Sequence, residues 1–466
     1  MHDRIRGDSL RNKIVGSPEE AIADLTDGAS IAVTGFGTSY GFPVSLLVAA
    51  RDKNVKNLTL VTNGLGAVGQ LRSMLLVANH QVSRLIAAFS WRPGPRTPAD
   101  DLIESGAMEV ELVPQGVLVE RMRAGGAGIP AFYSPVGIGT SLSDGKEVRE
   151  FNGSPHVLEQ AITVDFALVT AYRGDRLGNL ELRGCNRNFT PAFAKAARIV
   201  IAEVKEIVEV GEIDPENVGL PGIFVTRVVK ATVEPDSVQP ASRRPKDTAR
   251  EYNGKPGWTR LEMARRVAAL LKDGTYVNLG IGIPTLVSNF IGDRDIILHG
   301  ENGILGYGEQ ISGDDVDENI FNAAGEYVSI LPGASYFDSV EAFEMARGGR
   351  LHTVVLGAYE VDQAGSIANH SVTNAKRGGI GGAMDLIAGR RNLIVMMEHR
   401  DSQDRPKLRR ACTYPLTGVA CVNVVVTDLA ILRRSGTAWT VEAVADGFTP
   451  SEVLALTELD VPAERP

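Results

Sequence analysis

The residues best placed to do chemistry lie in one short stretch, Ile296-Ile297-Leu298-His299-Gly300-Glu301-Asn302-Gly303-Ile304-Leu305-Gly306-Tyr307-Gly308. Its apolar, β-branched start, bordered by Asp295, predicts a buried parallel strand. Gly300, Gly303, Gly306 and Gly308 predict a loop beyond it, where left-handed turns and close approach of a ligand are tolerated. In an open α/β sheet, ligands bind in the crevice outside the carboxyl ends of the strands. Glu301 stands alone among these glycines, and no glycine turn needs a carboxylate. The competing reading is a surface loop with a solvated glutamate.

Two further glycine clusters could present backbone amides to an anion. Gly125-Gly126-Ala127-Gly128-Ile129-Pro130 has few side chains and suits an anion-binding nest, or else a tight turn under a sheet. Gly378-Gly379-Ile380-Gly381-Gly382-Ala383-Met384-Asp385 precedes a helix-like run, so its amides could cradle an oxyanion or phosphate. Asn278 and Asn369 end apolar runs, where a side-chain amide donates to a carbonyl or makes an Asx-turn. Gly37-Thr38-Ser39-Tyr40-Gly41 matches the nucleophile-elbow pattern formally, but Ser39 lies too near the start to follow an oxyanion strand. His80, His156, His299, His352, His370 and His399 show no ligand spacing, so no metal is expected.

These residues need elements to hold them, and the elements recur. Ser17-Pro18-Glu19-Glu20 predicts a capped helix to about Leu25, followed by the turn Asp27-Gly28, the strand 30–34 and a Gly-rich turn ending at Pro43. The second half repeats this order with a helix over 261–271, Asp273-Gly274, the strand 275–279 and Gly280-Ile281-Gly282-Ile283-Pro284. Residues 167–180 and 354–367 share an apolar strand, Ala-Tyr, then Asp and a Gly-polar turn. Strands alternating with helices predict parallel sheets. The expected fold is α/β, with two tandem open parallel-sheet domains related by internal duplication. The domains are expected at 1–235 and 257–466, joined by a linker over 236–256 within a Pro-, Ser- and Arg-rich stretch.

A chain of 466 residues suits two domains rather than one core. The net charge of −9, without a basic stripe, argues against a nucleic-acid partner. Three cysteines with no C-x-x-C argue against disulfides and zinc and fit a reducing compartment. The start, Met1-His2-Asp3-Arg4, shows no secretory signal, and 419–432 is too short to span a bilayer. A cytoplasmic protein without a membrane partner is expected.

The Glu301 stretch resembles the E-N-G-I-L-G segment of family I CoA-transferases of the succinyl-CoA:3-ketoacid type, in the form whose two different subunits are fused into one chain. The resemblance covers nearly the whole chain. It extends through 109–116, 121–133, 147–153, 187–189, 278–284, 336–339, 381–385, 397–399 and 412–418. It implies a ping-pong reaction between an acyl-CoA and a carboxylic acid, such as succinyl-CoA and a 3-oxoacid, with Glu301 as covalent nucleophile. It further implies the Gly382 amide and Asn63 as oxyanion donors. Asn278, Gly303, Asn369, Gly381, Gly126, Gly128 and Arg92 would then bind CoA and substrate. CoA thioester enters as substrate, no bound cofactor or metal is implied, and a homodimer or larger homo-oligomer is expected.

Departures from the family pattern point at the acyl pocket. Gly300 replaces a usual serine, which would loosen the loop. Ser90-Trp91-Arg92-Pro93-Gly94-Pro95 replaces the usual segment beside the acyl group, where Arg92 could clamp a second carboxylate and Trp91 cover an apolar chain. A thioester hydrolase or a C–C-cleaving hydrolytic relative on the same fold is the alternative activity, and a silent binding protein the alternative class.

Overall fold

The computed structural model describes residues 12–36, 41–90, 96–235, 247–313, 316–372 and 378–461. The chain builds two nine-stranded sheets, one in each half. In the first, parallel strands follow the order Arg227–Lys230, Ala197–Val208, Val164–Asp175, Ser30–Val33, Leu58–Gly64, Val82–Phe89, Glu109–Leu112. In the second, the parallel strands are Val424–Val426, Asn392–Met396, Thr353–Leu356, Thr275–Leu279 and Ile296–Gly300. Ser30–Val33 lies between its neighbours as Thr275–Leu279 lies between its own, so the five-strand order of the second sheet recurs in the first. That is the duplication expected from the repeated sequence grammar.

The second sheet is mixed at its edges. Ile304–Gln310 pairs antiparallel with Ile296–Gly300 and with Val328–Tyr336, and Ala430–Ser435 pairs with Ala438–Val444. The glycines after Glu301 are therefore partly a strand, where a loop was expected. Gly306, at φ +81°, and Gly308 sit where a Cβ would meet Ala334 at 3.0 Å and Ser329 Oγ at 2.5 Å. They let two backbones approach at the register shifts of this ladder rather than opening a loop.

Alternation along the first sheet divides its core. Ile31, Val33, Leu58 and Leu60 pack on one face with Leu46, Leu47 and Ala50 of the helix Val44–Lys53. Ala32, Val61 and Ile86, on the other face, join one apolar core that continues into the second half. The helix Gln115–Gly126 forms part of that shared core and contacts the helices Ser339–Arg347 and Ala383–Ala388. Backbone bonds cross as well: Ser90 N–H donates to Gly378 O (3.0 Å), Gln115 N–H to Gly381 O (2.9 Å) and Cys185 N–H to Asn319 O (2.8 Å).

Two local expectations change. The helix capped by Ser17 ends at Ala21, because Arg227 donates to the Ala21 carbonyl and pairs with Asp24, each at 2.8 Å. Within the 236–256 segment, residues 251–256 form a two-stranded hairpin, and buried Tyr252 donates to Asp428 at 2.8 Å. That portion is docked on the second half rather than exposed.

Candidate active site

The strand Ile296–Gly300 carries Glu301 at its carboxyl end, and the turn behind it is closely packed. Gly303 has φ +105°, and a Cβ there would stand 2.2 Å from the Phe337 carbonyl oxygen. Asn302 is fully buried and donates to Phe321 O at 2.5 Å. At Gly300 a Cβ would lie 2.6 Å from Asn302 Oδ1, so the glycine tightens this turn and does not loosen it. The result is a rigid support for Glu301.

Glu301 itself is 4% exposed. Among the described residues, nothing donates a hydrogen bond to its carboxylate. Burial, with a smaller contribution from the charge of Asp385, pushes its pKa up to about 7. It borders a cleft of about 610 Å³ lined mainly by apolar groups and glycine backbone. Gly381 and Gly382 form one wall, and Phe89 enters from the first half. Arg260, Glu398 and Lys407 line the same cleft, the first two paired at 2.7 Å.

Polar groups from both halves meet beside the carboxylate. The point a Cβ on Gly382 would occupy lies 2.8 Å from Gln115 Oε1, 3.0 Å from Phe343 Cε1 and 3.1 Å from Glu301 Oε2. Gln115 Nε2 donates to Asn63 Oδ1 at 2.9 Å. Asn63 Nδ2 and Gln115 Oε1 are both buried without partners among the described residues. An electrophile reaching Glu301 would therefore find a desolvated carboxylate, a glycine wall without side chains, and spare amide atoms.

The family model for coenzyme A transferase matches residues 15–231 and 260–456. The chain belongs to the coenzyme A transferase family. It is 39% identical over 445 residues to human succinyl-CoA:3-ketoacid coenzyme A transferase 2, mitochondrial, covering 91% of this chain and 84% of that one. One of the two component chains of a probable succinyl-CoA:3-ketoacid coenzyme A transferase of Bacillus subtilis is 45% identical over 235 residues, covering 49% of this chain and 97% of its own. The acyl-CoA transferase apoenzyme of Escherichia coli shares the fold, with TM-score 0.78 and 22% identity, over 99% of this chain and 95% of that one.

The transferase places its sequence-derived candidates unevenly. Glu301, Asn369, Gly381 and Gly382 border the cleft. Asn369 is held by Thr417, whose hydroxyl donates to its Oδ1 at 2.8 Å, while its Nδ2 donates to Gly357 O at 3.1 Å. Asn63 reaches the site through Gln115. Gly303 stands behind Glu301 in the turn. Asn278 is fully buried beneath the sheet end, where its Nδ2 lies 3.0 Å from His299 O and 3.1 Å from His299 Nδ1. It fixes the His299 ring rather than facing the cleft, and burial pushes His299 down to about 4, so that ring is neutral.

Gly126 and Gly128 are not brought to Glu301. They end the helix Gln115–Gly126, roughly 16 Å along its axis from the residue that abuts the site. The amides of Ala127, Gly128 and Ile129 are spent on the carbonyls of Arg123, Gly125 and Ala124, so the expected anion cradle is a helix-ending turn. A Cβ on Gly126 would strike the Lys195 backbone at 2.7 Å, and packing explains that glycine. Arg92, Trp91 and Ser39 lie outside the described residues.

Four participants carried no assigned role in the sequence reading: Gln115, Phe89, Asp385 and Arg347. Gln115 and Asp385 lie within segments that resemble the family, so the signal was present without a function attached. Phe89 and Arg347 read as ordinary strand and helix residues, and only the fold brings them in.

Among the described residues, no group of three His, Cys, Asp or Glu side chains is arranged to hold a metal. No described helix is long and apolar enough to cross a membrane.

Proposed function

We propose that the enzyme moves CoA between an acyl-CoA and a carboxylic acid by a ping-pong route through a Glu301–CoA thioester, with succinyl-CoA and a 3-oxoacid as the substrate pair. The buried Glu301 carboxylate, without hydrogen-bond donors among the described residues and facing a cleft at a strand's carboxyl end, carries this reading. The names of the human and Bacillus relatives support the substrate pair.

In the first half-reaction Glu301 adds to the thioester carbonyl, and collapse expels CoA thiolate and leaves an acyl-glutamyl anhydride. The thiolate then attacks the glutamyl carbonyl, so glutamyl-CoA forms and the first carboxylate departs. An acceptor carboxylate attacks glutamyl-CoA, and the released thiolate takes the acyl group from the second anhydride. Charge and atoms balance without a proton or an external reductant. Covalent catalysis splits one difficult exchange into easier ones.

Desolvation of Glu301 serves this chemistry by stripping a weak nucleophile of water and raising its basicity. The tetrahedral intermediates need donors, and the Gly382 amide is the assigned one. Asn63 and Gln115 supply the second. Whichever way their paired amides are turned, one NH2 group is spare, since turning both over preserves the 2.9 Å bond. Asn369 and Gly381 would receive the pantetheine and acyl portions, while Gly303 and Asn278 support the turn and strand. Arg92 is retained as a substrate contact. Domain limits of 1–235 and 257–466, a cytoplasmic location and a homodimeric or larger assembly complete the reading.

The test follows CoA species by mass spectrometry, with acetoacetyl-CoA as donor and succinate present or absent. Wild type is expected to form succinyl-CoA only with succinate. Glu301→Ala is expected to lose activity by about 10⁴-fold or more. Free CoA released at an equal rate without succinate would instead indicate a hydrolase.

A further inference from the structure

Asp385 is a fully buried carboxylate that the reaction above does not use. It lies in the helix Ala383–Ala388, directly after the glycine wall that faces Glu301. Its Oδ2 accepts the Gly116 N–H at 2.9 Å, and Arg347 Nη1 stands 3.5 Å from its Oδ1. Arg347 also pairs with Glu120 at 3.1 Å. Gly116 and Glu120 belong to the first-half helix Gln115–Gly126, whereas Arg347 and Asp385 belong to the second half. A Cβ at Gly116 would stand 2.3 Å from Asp385 Oδ1, so this contact requires glycine.

We infer that Asp385 is a positioning residue for the nucleophile: it docks the first turn of the helix Gln115–Gly126 so that Gln115 meets Gly382 and Glu301, and its charge, balanced by Arg347, sets the basicity of the Glu301 carboxylate. The docking half follows from adjacency. The residue before Gly116 is Gln115, whose own amide donates to Gly381 O at 2.9 Å, so both ends of that peptide are tied to the second half.

The charge half follows from what surrounds the two acids. Facing Glu301 are neutral His299 on its own strand, the Tyr307 phenol on the neighbouring strand and Asp385 on its helix. Arg260, Glu398 and Lys407 line the same cleft, with Arg260 and Glu398 offsetting each other. Facing Asp385 are Arg347 and, behind it, Glu120 with its partner Arg123. Burial holds Asp385 at about 6 against the pull of Arg347, so it is ionised over much of the range in which Glu301 titrates. A more basic carboxylate is a better nucleophile, and it stays ionised above neutrality.

This inference rests on Glu301 being the nucleophile. Its test measures kcat/KM for acetoacetyl-CoA against pH in wild type, Asp385→Asn and Arg347→Gln, with thermal melts of each. Asp385→Asn keeps an oxygen for the Gly116 amide and removes the charge, so the acid limb should move down by about one pH unit. Arg347→Gln leaves Asp385 without its cation, so the limb should move up. Limbs that do not move in folded variants, or that move in the same direction, would overturn it. Peptide mapping of the CoA adduct in the same proteins separates the two readings. An adduct on Glu301 with unmoved limbs defeats only the role of Asp385, and no adduct in wild type removes the nucleophile and this inference together.

Discussion

Holding an ionised Glu301 in an apolar cleft costs the fold free energy that a solvated glutamate would not. Its folded pKa is about 7 against an ordinary 4.5, so between those values the native state binds a proton that the unfolded chain has lost. Stability therefore falls as pH rises through that window, by at most about 3 kcal/mol once the pH exceeds 7. Glu301→Gln should accordingly melt above wild type at pH 8 and level with it near pH 4.5. An equal gap at both pH values would assign the difference to packing instead. At Gly382 the prediction is kinetic. An alanine there meets Gln115 Oε1, Phe343 and Glu301 Oε2 at about 3 Å, so kcat should fall by about 10–100-fold while the melting temperature barely changes. At this scale the sequence was informative about Glu301, whose isolation among glycines is a local pattern. It was silent about Gln115 and Asp385, because their roles depend on contacts between residues 116 and 385.

The elements that carry these residues were legible where local rules act alone. The 261–271 helix appears as Arg260–Leu270 with the Thr259 capping box, and the 275–279 strand appears with those limits. Legibility failed where tertiary contacts decided. Gly306 and Gly308 read as loop residues because glycine is rare in strands, yet they form a strand whose neighbour approaches too closely for side chains. Gly125 and Gly126 read as an anion cradle, yet a Cβ on Gly125 would stand 2.0 Å from Ile162 O. The turn between Ile296–Gly300 and Ile304–Gln310 gives the matching prediction. Gly303→Ala combines a positive φ with a 2.2 Å approach to Phe337 O, so it should lower unfolding stability by about 2–4 kcal/mol. A denaturant midpoint would measure this, and a neutral result would show that the turn can relax.

At the scale of the whole molecule, duplication explains the architecture and asymmetry explains the activity. Both halves present the same five-strand parallel order, but only the second ends a strand in Glu301, and the first contributes Phe89, Asn63 and Gln115. The apolar core runs continuously across the two halves. Covalent continuity through 236–246 should therefore be dispensable: a chain cut at an engineered protease site there should elute as one species and retain transfer activity. The match of nearly the whole of a separate Bacillus chain to half of this one is in keeping with this. Separation of the fragments on a sizing column would show that the linker supplies stability the core does not.

The most direct test of Glu301 as nucleophile is to find where CoA becomes attached. Wild-type enzyme would be incubated with acetoacetyl-CoA without acceptor, digested under mildly acidic conditions and mapped by mass spectrometry. The predicted result is a CoA thioester on the peptide containing Glu301, which disappears when succinate is added and is missing from Glu301→Ala. Succinyl-CoA formed at the wild-type rate by Glu301→Ala, or an adduct on any other residue, would contradict it.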